Sequence, residues 1–213
     1  MNDTVTSLQA ILAFTAAAVL LTIAPGLDTA LVLRTAAVEG PRRAILAGLG
    51  ICLGCLAWGL AASAGLGALL VLSRVAFDVV RMLGAGYLFY LGFQLLVRKR
   101  APMAAEAAVP AVSPRGWFLR GFLTNLLNPK VGVFYLTFLP QFVRPEHGLV
   151  MLQLTILGLV FVFLGLLSTV VFAVGAGRLG NFLRRNPTVL RWQGKVVGCI
   201  YFALGIRLAL QER

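Results

Sequence analysis

Two ionisable side chains, Asp28 and Lys130, lie inside long apolar stretches of this 213-residue chain. Along a helix that rises about 1.5 Å per residue, Asp28 is roughly 9 Å from the flanking Arg34, and Lys130 is roughly 15 Å from Arg120. A charge at the centre of a membrane helix costs about 2.5–3.5 kcal/mol, so each side chain is expected to face a partner or a cavity. Asp28 is suited to proton coupling or to binding an ammonium group, and Lys130 to binding a carboxylate or Asp28. The structural alternatives are an ion pair or helix cap for Asp28 and snorkelling for Lys130.

Each of these charges closely follows a motif that is expected to break a helix. The first motif is Pro25-Gly26 and the second is Asn128-Pro129. Proline removes a backbone donor, and asparagine amides can replace the hydrogen bonds that are lost. A cation and an anion at two such breaks would suit a zwitterion such as an amino acid. The predicted substrate-binding or coupling residues are Pro25, Gly26, Asp28, Asn125, Asn128, Pro129 and Lys130.

Other motifs in the sequence do not indicate a second chemistry. Cys52 and Cys55 form a CxxC pattern, but His147 is the only histidine, and no carboxylate is spaced to complete a metal site. Residues 175–180 match GxGxxG, yet they end an apolar run and do not follow a soluble strand. The sequence shows no nucleophile next to a base. We therefore predict that the protein is not an enzyme and holds no metal or cofactor.

The composition indicates an integral membrane protein. Hydrophobic residues make up 60% of the chain and charged residues only 12%, with a mean hydropathy of +0.92. Soluble domains carry about 25% charged residues, so this chain has too little polar surface for water. The net charge of +12 does not indicate a nucleic-acid partner, because the basic residues lie mostly in short loops and no nucleic-acid-binding motif is found.

Six apolar runs predict six transmembrane helices, at residues 8–33, 44–72, 75–97, 118–142, 149–176 and 192–210. Thirteen of the 19 basic residues lie in the first, third and fifth loops, and five lie on the opposite side. Because basic loops stay in the cytoplasm, both termini are predicted to lie outside. The protein is expected to be a multi-pass component of the bacterial inner membrane.

The two halves of the chain resemble each other. Residues 81–87 and 195–201 share a basic residue, a glycine and a tyrosine at the same spacing. The predicted units are a three-helix repeat at 1–97, a cytoplasmic linker at 98–117 and a second three-helix repeat at 118–213. Since each repeat has three spans, the second must insert upside down. The expected fold is therefore an all-α membrane protein of two inverted repeats, with broken helices in spans 1 and 4.

Several of these motifs together resemble the lysine exporter (LysE/RhtB-type) family of bacterial amino-acid efflux proteins. The matching stretches include residues 24–28, 121–130, 138–142 and 204–210. The family's first break usually reads Pro-Gly-Pro-Asp, and Leu27 replaces its second proline here. The resemblance implies export of an amino acid or a close derivative, driven by the proton gradient without ATP, with the seven residues named above at the site.

The sequence thus predicts a proton-coupled exporter that moves an amino acid or close derivative out of the cytoplasm. Its expected partners are the substrate, protons and the lipid bilayer. The alternatives are efflux of a cation or another small solute, and a membrane-embedded enzyme. The identity of the amino acid and the oligomeric state are left open, because close-packing glycine motifs serve contacts within a chain or between chains.

Overall fold

The computed structural model describes residues 8–23, 26–72, 74–97, 113–144, 147–185 and 187–210, and all regular structure in these ranges is helical. These described ranges contain eight α-helices: α1 (Leu8–Ile23), α2 (Leu27–Glu39), α3 (Pro41–Leu72), α4 (Arg74–Val97), α5 (Pro114–Leu126), α6 (Pro129–Val133), α7 (Val150–Arg185) and α8 (Pro187–Leu210). The prediction of an all-α membrane protein is confirmed. Most of the predicted linker, residues 98–112, lies outside the described residues.

The predicted first and fourth spans are both interrupted. Between α1 and α2, Gly26 adopts an extended conformation (φ −143°, ψ −175°) and forms the N-cap of α2. Between α5 and α6, Asn128 is extended (φ −80°, ψ 107°) and forms the N-cap of α6. Pro25 lies outside the described residues. The two helix breaks therefore fall where the sequence places them, and each is followed by a new helix that carries one of the charges.

The second half of the fourth span is not a regular α-helix. A π-helical turn (Phe134–Phe138) follows α6, and a 3₁₀ turn (Leu139–Phe142) completes the span. The wider π turn places Phe134, Tyr135 and Phe138 in the core, each no more than 3% exposed. Gln141, which follows a proline, donates a hydrogen bond from Nε2 to the Thr137 carbonyl at 3.1 Å. The Gln141 side chain thus satisfies a backbone carbonyl in this irregular segment.

Helix α3 is central to the bundle, because it packs against α2, α5 and α7, while α4 packs mainly against α8. Glycines allow α3 and α5 to approach closely. A Cβ atom on Gly50 would lie 1.9 Å from the Phe118 carbonyl oxygen, and one on Gly121 would lie 1.8 Å from the Ala47 carbonyl oxygen. Close helix packing of this kind is typical of membrane bundles. The glycine pattern at Gly50 and Gly54 therefore serves packing within the chain.

Two helical segments among the described residues are long and apolar enough to cross a membrane. These segments are Pro41–Gly65 and Val150–Ala176, with mean hydropathies of 2.1 and 2.7. They correspond to the predicted second and fifth spans. The complete six-span topology and the inverted repeat stay predictions.

Gln153, at the beginning of α7, holds the turn that precedes this helix. Its side chain is fully buried. Gln153 Oε1 accepts from the Arg144 backbone N–H at 2.9 Å, and Nε2 donates to the carbonyls of Arg144 at 2.9 Å and Gly148 at 2.7 Å. Because one amide satisfies three backbone groups, this side chain fixes the path of the chain from the 3₁₀ turn into α7.

Candidate functional site

The charge at the first break is bound by a residue just before the second break. Asp28 lies in the first turn of α2, where the helix dipole favours a negative charge. Asn125 lies near the end of α5 and is completely buried. Its Nδ2 donates a hydrogen bond of 2.8 Å to Asp28 Oδ2. Two residues separated by 97 positions in the chain are thus joined directly inside the bundle.

The charge at the second break is bound, in turn, by the helix just before the first break. Lys130 lies in the first turn of α6, and its Nζ donates to the Leu21 carbonyl at 2.9 Å. Leu21 belongs to the last turn of α1, where carbonyl groups lack helical partners and the dipole favours a cation. The Lys130 backbone N–H is itself bound by Asn128 Oδ1 at 3.1 Å, which caps α6.

The two breaks are therefore joined by two crosswise contacts, Asp28 to Asn125 and Lys130 to Leu21. The half-helix after each break carries a charge that contacts the half-helix before the other break. Asp28 and Lys130 also lie close enough for each charge to act on the other, and Asn128 lies within interaction range of Asp28. Of the predicted site residues, the structure brings together Asp28, Asn125, Asn128 and Lys130. Gly26 is the N-cap of α2, and Pro129 is the first residue of α6.

Helix α3 forms one wall of this cluster. The second hydrogen bond of Asn125 Nδ2 is to Cys55 Sγ, at 3.3 Å. A Cβ atom on Gly54 would lie only 2.6 Å from Asn125 Oδ1, so the glycine makes room for the amide. The sequence showed Cys55 only as part of a CxxC pattern, and this contact was not predicted. No spacing pattern connects two residues 70 positions apart, so the sequence contained no signal for it.

Several buried polar atoms at the site have no hydrogen-bond partner among the described residues. They include Asp28 Oδ1, Asn125 Oδ1 and the Tyr135 hydroxyl oxygen. Tyr135 is fully buried in the π turn and lies beside the Cys55 thiol. Buried acceptors without a donor are energetically unfavourable. One carboxylate oxygen and one amide oxygen that both lack a donor suit a ligand that carries N–H or O–H donors.

A small cavity adjoins the Lys130 side of the cluster. Lys130 and Tyr201 are the two lining residues with a polar group, and the full lining comprises Leu21, Leu88, Leu91, Lys130, Phe134, Phe138 and Tyr201. Lys130 Nζ lies 5.9 Å from the centroid of the Tyr201 ring, which allows a cation–π contact. In the sequence, Tyr201 stands out only as the tyrosine that residues 195–201 share with residues 81–87, and the structure places it at this cavity.

Opposite charges at two facing helix breaks, inside an apolar helical bundle, are features of secondary transporters. The chain belongs to the LysE type translocator family, whose family model matches residues 19–212. This match confirms the resemblance found in the sequence. Proteins of this family are membrane translocators, which accords with the composition of the chain.

Several relatives cover nearly the whole chain. An uncharacterized membrane protein of Vibrio cholerae is 30% identical over 200 residues, which span 93% of this chain and 95% of the relative. An uncharacterized membrane protein of Bacillus subtilis is 30% identical over 211 residues, or 95% of this chain and all of the relative. A protein of Klebsiella pneumoniae named leucine efflux protein is 26% identical over 203 residues, with 93% of each chain covered. No solved structure matches the chain significantly.

Proposed function

We propose that this protein exports an amino acid or a close derivative from the cytoplasm and uses the proton gradient as its energy source. The observation that carries the proposal is the cluster of Asp28, Asn125 and Lys130 where the two helix breaks meet. A zwitterionic amino acid carries both charges that complement Asp28 and Lys130. The family and the leucine efflux relative support amino-acid efflux as the general activity.

In this proposal, Lys130 binds the substrate carboxylate. Its ammonium donates to the Leu21 carbonyl, and a substrate carboxylate would be a stronger, charged acceptor for the same N–H groups. Asp28 is either the proton-linked group or the partner of the substrate ammonium. The cavity beside Lys130 has room for only about one water molecule, so it would have to widen to receive the substrate side chain. Because its lining is largely apolar, we expect a leucine-like amino acid to be preferred.

Transport would follow from rocking of one three-helix repeat against the other around the central cluster. The packing of the described helices supports such a repeat. In an inverted repeat, α3 of the first repeat corresponds to α7 of the second, and α4 corresponds to α8. The two helices of each pair pack against each other. We propose that the first, third and fifth loops, which carry most of the basic residues, lie in the cytoplasm, and that both termini lie outside the bacterial inner membrane.

The test is uptake of labelled amino acids into inverted membrane vesicles, with and without an imposed proton gradient. We expect gradient-dependent accumulation of L-leucine or a similar apolar amino acid. Lys130→Ala and Asp28→Asn should each abolish accumulation. Lys195→Ala is a matched control, because this lysine is exposed and its ammonium lies over the ring of Trp192, away from the site.

Expression and monodispersity of each variant must be measured alongside transport, so that loss of folding is not read as loss of function. Unchanged accumulation in both Lys130→Ala and Asp28→Asn vesicles would refute the proposed site. If the wild-type protein accumulates no amino acid of the panel, the substrate assignment is wrong. The same vesicles would then be tested with inorganic and organic cations.

A further inference from the structure

We propose that a proton and the substrate ammonium compete for one acceptor pair, formed by Asp28 and Asn125, and that this competition couples export to the proton gradient. The inference rests on the proposed function and joins two roles that the sequence left as alternatives for Asp28. It also assigns Asn125 as a direct ligand of the ammonium group. A site that holds either ligand but never both would exchange one proton for one substrate molecule.

The orientation of the Asn125 amide is fixed by its neighbours. Its Nδ2 lies between two acceptors, Asp28 Oδ2 at 2.8 Å and Cys55 Sγ at 3.3 Å. The oxygen therefore points elsewhere, and Asn125 Oδ1 has no donor among the described residues. Asp28 Oδ1 also has none. Two unpartnered acceptors thus belong to two side chains that are already joined, and one of these side chains is completely buried.

The surrounding titratable groups do not supply the missing donor. Lys130 of α6 donates to the Leu21 carbonyl of α1. Cys52 and Cys55 of α3 and Tyr135 of the π turn also face Asp28 or its neighbours. Thiols and phenols hold their protons at neutral pH and carry no positive charge. Residues 150–176 of α7 contain no titratable side chain. The side-chain amide of Asn128 also interacts with Asp28, but it carries no charge. We infer that a ligand supplies the cationic donor, either as a proton or as an ammonium group.

The two ligands exclude each other on electrostatic grounds. A proton bound to Asp28 neutralises the carboxylate and provides an O–H group, from which the amide oxygen of Asn125 can accept a hydrogen bond. An ammonium group provides N–H donors to both oxygens, but its binding in a low-dielectric site depends on the negative charge of Asp28. Substrate binding is then an exchange of a bound proton for the substrate ammonium. The neutral carboxyl group and the substrate ammonium give a carboxylate–ammonium pair, and one proton is released to water.

The experiment uses the purified full-length protein in lipid nanodiscs. L-Leucine is titrated into the protein by calorimetry in two buffers with different ionisation enthalpies, which gives the number of protons released per leucine bound. We expect one proton per leucine in the wild type at a pH where Asp28 is protonated, and none in Asp28→Asn. The apparent Kd for leucine should then rise about tenfold for each unit by which the pH is lowered.

Infrared spectroscopy distinguishes a ligand role of Asn125 from a merely structural one. The carboxyl C=O band of Asp28, assigned by its loss in Asp28→Asn, should disappear when leucine binds. In Asn125→Leu the band should move to a higher frequency, because the hydrogen bond to the amide is lost, and leucine should bind at least tenfold more weakly. Ser63→Ala is the matched control, since Ser63 is buried on α3 and donates to the Gly59 carbonyl. This variant should release one proton per leucine.

The outcomes separate this inference from the proposed function. Leucine binding without proton release, or with an unchanged Asp28 band, would overturn the competition and leave the exporter assignment standing. If leucine does not bind at any pH, the assigned substrate is wrong, and methylammonium chloride becomes the probe. Displacement of the Asp28 proton by methylammonium in the wild type, but not in Asn125→Leu, would support the shared acceptor pair. A lack of displacement by either ligand would refute it.

Discussion

Gly54 is the position at which a single added methyl group tests the geometry of the site. A Cβ atom at this position would lie 2.6 Å from Asn125 Oδ1 and 2.9 Å from Asn125 Cβ. To reach the 3.4 Å of ordinary contact, the oxygen must move by 3.4 minus 2.6, or about 0.8 Å. If the amide moves by the same amount along the hydrogen bond to Asp28, the distance from Asn125 Nδ2 to Asp28 Oδ2 increases from 2.8 Å to about 3.6 Å. At that distance the two atoms no longer form a hydrogen bond.

A hydrogen bond to a charged group contributes about 1.5–3 kcal/mol. Gly54→Ala should therefore weaken substrate binding or transport by roughly ten- to a hundredfold, since about 1.4 kcal/mol corresponds to a factor of ten. The assay is concentration-dependent uptake of L-leucine into inverted vesicles. Gly65→Ala is the matched control on the same helix, because a Cβ there meets nothing within 4 Å. Equal uptake by both variants would show that Asn125 is not held as the structure indicates.

Two further predictions concern the backbone around the site. Gln153→Leu leaves the Arg144 N–H and the carbonyls of Arg144 and Gly148 without their partner, so it should lower stability by about 3 kcal/mol, at about 1 kcal/mol for each bond. Thermal unfolding of the purified protein measures this, and an unchanged midpoint would contradict it. Asn128→Ala removes the side-chain cap of α6 at Lys130 and should destabilise the protein by about 1 kcal/mol, while Asn128→Ser, a neutral capping residue, should restore much of this stability. An Asn128→Ser variant that is no more stable than Asn128→Ala in the same measurement would rule out a capping role.

The sequence was sufficient to locate the two helix breaks, because proline and glycine act on the backbone locally. It also identified the two charges, since an ionisable residue in an apolar run stands out without any knowledge of its neighbours. The family assignment then followed from short motifs spread over nearly the whole chain. These features all depend on residue type and near spacing, which a sequence displays directly.

The contacts of the site were not predictable in the same way. The partners of Asn125, Lys130 and Cys55 lie 70 to 109 positions away along the chain, and helix packing decides which of them meet. The π turn was also missed, since the apolar run at 118–142 has the composition of an ordinary span. Gln153 is a single polar residue near the start of an apolar helix, and only the folded structure reveals its three backbone partners.

The crosswise contacts explain how both charges are held in an apolar bundle, and they are also consistent with movement of the proposed site. Lys130 is bound by a backbone carbonyl at the end of α1, and Asp28 by a neutral amide at the end of α5. Neither contact is as strong as the charged partner that a zwitterionic substrate would offer. Because each contact joins one half of the chain to the other, replacing both with substrate contacts would loosen the connection between the halves. Substrate binding and relative movement of the halves would then be linked through the same two side chains.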